Sequence, residues 1–475
     1  MATVSMKQVV EAIGAPAQAS SWWANLAKWR RRYSSKRAEI TLELADGTHQ
    51  RKRRSLGMAK RVCEDWAGLI WTENVAIDAG EGSPEQAILD DVFDADFYPL
   101  FSMDLERTFA SGTGALEVLV EGIPLNAAGS IVGVAREVEV EYVPAECIVP
   151  LSWKRGEVYE VAFVSWVAGD TVDVRCHRGD EELRVITNQR FKLKGDKLTE
   201  VPVPDGVVEM ITLVDAPYPL FRIFSPSLAN NLSPGSPFGI SVYANADDEL
   251  DAVDLAFDNF FEDFDLGGKM VFVPDTMLRR SKEIDPATGK GRLIPPQREK
   301  KNLFVAFQDG GAKEQGIHEH NPDLRVADNK LGIETGLSLL SAKVGMGEAR
   351  YSFSSSGVKT ATEIVSENSD LYRNRRKHLN AITAAVTAIA HAVLWCSANF
   401  IGTGVDPSVE IIVHSDDSVI EDDGVRQARG MAKVAAGVLS ERTYLIDYEG
   451  MTEVDADAEV ARIDGARTAP ALFGG

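Results

Sequence analysis

The chain has 475 residues, 44% hydrophobic and 26% charged, with a formal net charge of −22. That length exceeds one ordinary core and predicts about two to four domains, while the acidic excess argues against a basic surface that coats nucleic acid. Four cysteines, Cys63, Cys147, Cys176 and Cys396, show no CxxC spacing, which fits a reducing compartment and no disulfide framework.

The first residues lack the basic-then-apolar order of a signal peptide. No run approaches the roughly twenty apolar residues of a membrane span, so none is expected. The dense basic charge lies in residues 1–75, where Trp22, Trp23 and Trp29 lead into Arg30, Arg31 and Arg32, and Arg51 to Arg54 follow. Aromatics interleaved with cations can bind nucleic acid, but a solvated face with tryptophans packed into a neighbour is the favoured reading. Residues 55–71 then read as an amphipathic helix with Leu56, Ala59, Val62, Cys63, Trp66, Leu69 and Ile70 on one side. Ser83 before Pro84 predicts a capped helix with proline at its first position.

From 98 to 215 the pattern turns to strands. A helix ends near Gly112, and segments 115–120, 134–143, 158–167, 171–176 and 182–186 alternate or carry β-branched residues. Gly112 and Gly114 lack phosphate-loop spacing and predict a turn. Cys176 and His177 are adjacent, so on a strand they point to opposite faces and do not make a metal site.

Prolines punctuate 217–242, and a helix follows at 241–266. Leu250, Val253, Phe257, Phe260, Phe261 and Phe264 form its apolar stripe. Asp247, Asp251, Asp254, Asp258, Glu262 and Asp265 line another face at three- and four-residue steps. Such stacked acids repel, so packing of the aromatic stripe is expected to outweigh them. The insert 269–325 carries short strands at 269–273 and 303–307, a loop at 285–289, and many cations. His318 and His320 could share a face there, with no further ligand in view. A second helix at 327–344 places Leu331, Leu337, Leu340 and Val344 on one face, with Gly332 and Gly336 permitting close approach of a neighbour.

The Gly/Ser-rich run 345–357 precedes the longest helical pattern, 357–400. Thr360 and Glu363 form a capping-box pair there, and Ile364, Leu371, Leu379, Ile382, Val386, Ile389 and Val393 recur at helical spacing. The cationic stretch 373–378 interrupts that stripe and suggests a bend or a change of environment. Beyond it come a strand at 409–414, helices at 427–438 and 452–463, a capped segment from Ser440, and a tail from 465 expected to be disordered.

Several of these phrases resemble the portal proteins of tailed bacteriophages, closest to siphophages of Gram-positive bacteria. They are Ser55 to Ile70, Pro237 to Ser241 with its helix, and the Gly/Ser loop with Thr360 to Ile364 and Ser366 to Asn368. The resemblance implies an α+β portal fold: a mixed α/β wing, two stem helices flanking a small clip insert, a long wing helix and a mostly helical crown. The expected parts are arm and wing at 1–240, first stem helix at 241–266, clip at 267–326 and second stem helix at 327–344. A tunnel loop at 345–357, the long wing helix at 358–402, and crown and tail at 403–475 complete them.

The resemblance also implies a ring of about twelve copies at one capsid vertex. Double-stranded DNA would pass through it without sequence preference during packaging and ejection. Expected partners are the terminase large subunit, a head–tail adaptor, and the major capsid and scaffolding proteins, with no membrane and no cofactor. The chain would reside in the virion, and in host cytoplasm during assembly. Lys343, Arg350, Ser354, Ser355 and Lys359 would be the DNA-contacting set of the tunnel loop, and the six-acid stripe would line the channel.

No nucleophile elbow, HExxH, Walker loop or paired metal carboxylates compete, so an enzyme is not expected. Two other classes stay open. One is a metal-dependent nuclease built on the acids of 247–265, although these follow one stripe instead of converging. The other is a non-ring minor capsid or DNA-scaffolding component.

Overall fold

The computed structural model describes residues 4–16, 20–36, 39–44, 47–72, 75–124, 133–267, 270–274, 279–284, 291–294, 304–307, 317–351, 369–415 and 423–468. The chain opens with α1 (Met6–Ala12), α2 (Ser20–Tyr33), a hairpin of β1 (Glu39–Leu44) and β2 (Gly47–Lys52), and α3 (Met58–Ile70). Next come β3 (Ala76–Asp78), α4 (Pro84–Val92) and α5 (Phe97–Ser111). Strands follow as β4 (Gly114–Glu121), β5 (Glu137–Pro144), β6 (Ile148–Lys154), β7 (Glu157–Ala168) and β8 (Thr171–Gly179). They continue as β9 (Leu183–Lys194), β10 (Lys197–Val201), β11 (Met210–Val214) and β12 (Phe221–Phe224). After α6 (Asp247–Leu266) lie β13 (Met270–Pro274), β14 (Arg279–Ile284), β15 (Gly291–Ile294), β16 (Phe304–Phe307) and β17 (His318–His320). Helix α7 (Val326–Lys343), α8 (Ser369–Cys396), β18 (Ile412–His414), α9 (Asp423–Ala435), α10 (Glu441–Asp447) and α11 (Glu453–Thr468) complete the chain.

Two compact units result, and both are discontinuous in sequence. One comprises Met1–Ala27, Cys63–Val242 and Ser356–Gly475; the other comprises Lys28–Val62 and Tyr243–Ser355.

In the first unit an antiparallel meander runs β10-β9-β8-β7-β6, with β11 also on β9, and a smaller sheet runs β12-β4-β5. Strands β6, β10 and β11 fall outside the segments that alternation in the sequence picks out. Val149, Ala162, Val164, Val172, Val174, Cys176 and Phe191 make one core cluster with Val4 and Val9. Trp22 and Leu26 belong to a second, with Ala115, Ile148, Val161, Phe221 and Phe238. Trp22 is buried and stacks on Phe238 with ring centroids 3.7 Å apart, so its ring belongs to the core and is not a base-stacking platform. His177 leaves the strand opposite to Cys176 and reaches Glu117 of β4, Nε2 to Oε1 at 2.7 Å, joining the two sheets.

Local chemistry explains the helix ends. Ser83 caps α4 by accepting from the Gln86 amide at 3.0 Å, with Pro84 at the first position. Gly112 ends α5 with φ 80°, and a Cβ there would lie 2.4 Å from the Ile240 carbonyl carbon. Only glycine fits both the backbone angle and the space.

Helix α8 runs unbroken through the cationic stretch. Arg375 and His378 are buried, each 3% exposed, whereas Arg373, Arg376 and Lys377 face outward. The Arg375 Nε donates to the Leu69 carbonyl at 2.6 Å, and His378 Nδ1 accepts from the Ser227 amide at 2.9 Å. Of the two expectations for this stretch, a bend or a change of environment, the split between buried and exposed cations matches the second, and the helix is continuous. The segment Ser369–Ile401 is, contrary to the sequence expectation, long and apolar enough to cross a membrane by length and composition. Much of its apolar surface is buried instead, as α8 packs on β4, β5, β12 and α4. The capping pair Thr360 and Glu363 lies outside the described residues. Helix α11 continues to Thr468, through residues expected to be disordered.

In the second unit α6 and α7 pack antiparallel, as the pairs Asp263–Arg325, Val253–Gly336 and Glu249–Lys343 require. A Cβ on Gly336 would sit 3.1 Å from Val253 Cγ2, so this glycine does allow close approach; around Gly332 nothing lies within 4 Å. Leu337, Leu340 and Val344 are buried with Ile333, but Leu331 is 63% exposed and departs from the expected face. Strand β13 lies between β16, parallel, and β17, antiparallel, and β14 pairs with β15. The loop 285–289 lies outside the described residues.

Candidate functional site

Every residue of the acidic stripe stands on α6, and the sequence explains why it forms one ladder. Steps of three and four residues return each carboxylate to the same side of a helix. Helix α6 carries nine acids and no base, so repulsion along it demands counter-charge. The structure supplies that charge from segment 28–54 of the same unit, a basic strap made of the end of α2 and the β1–β2 hairpin.

Arg32 grips the first turns: Nη1 and Nη2 donate to Asp251 Oδ1 and Oδ2 at 2.8 Å each, and Nε lies 3.3 Å from Asp247. Lys28 also pairs with Asp247. One and two turns on, Arg51 repeats the grip. Its Nη1 and Nη2 donate to Asp258 at 2.8 Å each, and Nη2 also bonds Glu262. Between the two arginines, Asp254 accepts from Ser55 Oγ at 2.9 Å and the Leu56 amide at 3.0 Å. Asp258, only 2% exposed, further accepts from the Arg54 amide at 3.1 Å. Planar guanidinium forks matched to carboxylates are the strong form of this interaction.

The titration of Asp251, Asp254 and Asp258 follows their surroundings. Hydrogen bonds from Arg32 and Arg51 hold the carboxyls of Asp251 and Asp258 below the usual carboxylate range. Asp254 has neutral partners, and burial pushes its carboxyl up. Asp247, Asp251, Asp254, Asp258 and Glu262 of the stripe are thus all engaged within the chain. The side chain of Asp265 lies outside the described ones. Nor is packing of the aromatic stripe the compensation. Leu250 and Val253 are buried, while Phe261 and Phe264 remain exposed and Phe257 and Phe260 partly so. Arg54 lies over the Phe261 ring at 5.1 Å from its centroid.

The tunnel-loop set is only partly described. Lys343 sits in the last turn of α7, 3.9 Å from Glu249, and Arg350 is exposed in the turn beyond. Ser354, Ser355 and Lys359 lie outside the described residues. The loop begins as a helix cap. Gly345 has φ 82°, its amide donates to the Ala342 carbonyl at 3.1 Å, and the Met346 amide donates to Ser341 at 3.0 Å. This pair of bonds is the Schellman arrangement, and Met346 is buried behind it. Residues 345–347 are thus anchored to α7.

For the nuclease reading, the described acids of the stripe face arginines, a lysine, a serine hydroxyl and backbone amides and do not converge on a common point. Among the described residues one acidic group could gather round a cation, the surface trio Glu121, Glu137 and Glu139, and Arg136 already pairs with two of them. His318 and His320 are exposed on β17. What sequence reading missed is the partner set Lys28, Arg32, Arg51, Arg54 and Ser55. The signal was present: segment 28–54 holds ten Lys/Arg against three Asp/Glu, a formal +7 opposite a helix of −9.

A comparison with curated proteins finds no match. Among solved structures the chain is similar to one described as "Neck of empty GTA particle computed with C6 symmetry", at 12% identity and TM-score 0.41, covering 94% of this chain and 99% of that one. The family model "Phage portal protein, SPP1 Gp6-like" matches residues 23–470, nearly the whole chain. The chain belongs to that family of phage portal proteins.

Proposed function

We propose that this protein is the subunit of a closed ring of about twelve copies at one capsid vertex, through which double-stranded DNA is packaged and ejected. The family match over 23–470 carries the reading. In the ring α6 and α7 form the stem, and their exposed apolar residues, Leu255, Phe261, Phe264, Leu331 and Leu339, meet neighbouring copies. The insert 267–326 is the clip that docks terminase and then the head–tail adaptor. The loop 345–357, with Lys343, Arg350, Ser354, Ser355 and Lys359, touches DNA. The chain has no role as an enzyme in this scheme, and a separate ATPase supplies the energy.

Native mass spectrometry with electron microscopy tests the reading. Closed rings are expected at high protein concentration. Species of one to four subunits alone, over a wide concentration range, would overturn it. Deleting residues 285–291 then tests the clip: rings should persist while packaging is lost, and loss of the ring would reassign the insert to assembly.

A further inference from the structure

Segment 28–54 and α6 form an intramolecular polyelectrolyte pair, +7 against −9. The contacts are built and repeated. Arg32 straddles Asp247 and Asp251, and Arg51 straddles Asp258 and Glu262, each spanning acids four residues apart. A helix presenting carboxylates at regular steps to arginine forks offers what a phosphate backbone offers: a rigid row of anionic oxygens. Meanwhile Arg31, Lys36 and Lys52 are exposed on the strap. Such a strap, were α6 not occupying it, would bring a dense row of cations to a polyanion.

We propose that the strap 28–54 is a latent binding element for double-stranded DNA, and that α6 is the internal polyanion that masks it. In the closed state Arg32 and Arg51 are consumed by carboxylates, and the chain as a whole, at −22, repels DNA. A duplex held at high local concentration competes for the same forks, since every phosphate contact releases condensed counterions. Exchange would leave the carboxylates of α6 unpaired and turn its face acidic. This inference is independent of ring assembly, because it concerns duplex binding by the unassembled chain.

The test is binding of a labelled mixed-sequence DNA duplex, read by fluorescence anisotropy across a salt series. The triple variant Asp251→Asn/Asp258→Asn/Glu262→Gln removes the charge of the mask while keeping its shape. Releasing two arginines to two phosphates steepens the slope of log K against log[salt] by about 2 and tightens binding roughly ten- to a hundredfold at 0.1 M salt. Adding Arg32→Ala and Arg51→Ala to the triple variant should erase that gain. Unchanged affinity and slope in the triple variant would overturn the proposal. So would a gain that survives loss of both arginines, since it would then reflect net charge alone. Hydrogen exchange on the unaltered chain reads the same event without mutation. Duplex added at low salt should deprotect α6 amides, and binding that leaves α6 protection untouched rejects the exchange.

Discussion

Arg51 holds Asp258 through two hydrogen bonds of 2.8 Å, across 207 residues of sequence, and Asp258 is 2% exposed. The pair explains how a helix of nine acids is tolerated: its stacked carboxylates are sites for arginines. A buried carboxylate left without its cation is costly, more so than the pair is favourable.

Arg51→Ala is therefore expected to destabilise the second unit by about 3–5 kcal/mol, and Asp258→Ala in addition to recover part of that loss. A denaturant-melt double-mutant cycle measures the coupling, and additive single effects would contradict it. Asp258 and Asp251 have depressed folded pKa values. Their contribution is present above the unfolded value near 4 and is lost as pH falls through the folded values.

His378 sets a second pH dependence. Burial lowers its pKa from 6.5 to about 4, with Lys377 adding to the effect, and its Nδ1 accepts from the Ser227 amide. The unfolded chain binds a proton that the folded chain refuses. Stability is thus full above about 6.5 and declines as pH falls to about 4, by about 3 kcal/mol in total. His378→Gln, which keeps an acceptor but cannot charge, should flatten thermal stability across that window. An unchanged pH profile in this variant would place the acid sensitivity elsewhere.

Two glycines should respond in opposite directions. Gly112→Ala meets both a φ of 80° and the Ile240 backbone, so a loss of several kcal/mol, on the order of 3 or more, is expected. Gly332→Ala enters open space on α7 and should stabilise the unassembled chain by up to about 1 kcal/mol. If a neighbouring copy packs against Gly332, the same alanine lowers the yield of rings. Calorimetry reads the first effect and native mass spectrometry the second.

For the tunnel loop, Arg350→Glu with Lys359→Glu should leave rings assembled and reduce the DNA packaged per particle. Several cationic contacts together give strong phosphate binding, so reversing two of a few is expected to be felt. Full-length genomes at normal yield from the double variant would make 345–357 an ordinary connecting loop.

Periodicity alone marked out much of this fold. Leu371, Leu379, Ile382, Val386, Ile389 and Val393 repeat at helical steps and are all buried in α8. Ser83 with Pro84 announced α4, and Gly345 directly follows Val344, the buried C-cap of α7. These signals are local: hydrogen bonds and apolar faces within a few residues decide them, and a linear sequence displays them. Which cation meets which acid is not local. Nothing near Asp258 names Arg51, because the pairing depends on a hairpin brought to α6 by the fold. Burial is likewise a tertiary property. Arg375 and Arg376 are neighbours of one type, yet one donates to Leu69 in the core and the other faces outward. The sequence by itself determined the family, the long helices α6, α7 and α8, and the charge of strap and stripe; only the tertiary structure decided that the two neutralise each other, because electrostatic partners are chosen by distance in space.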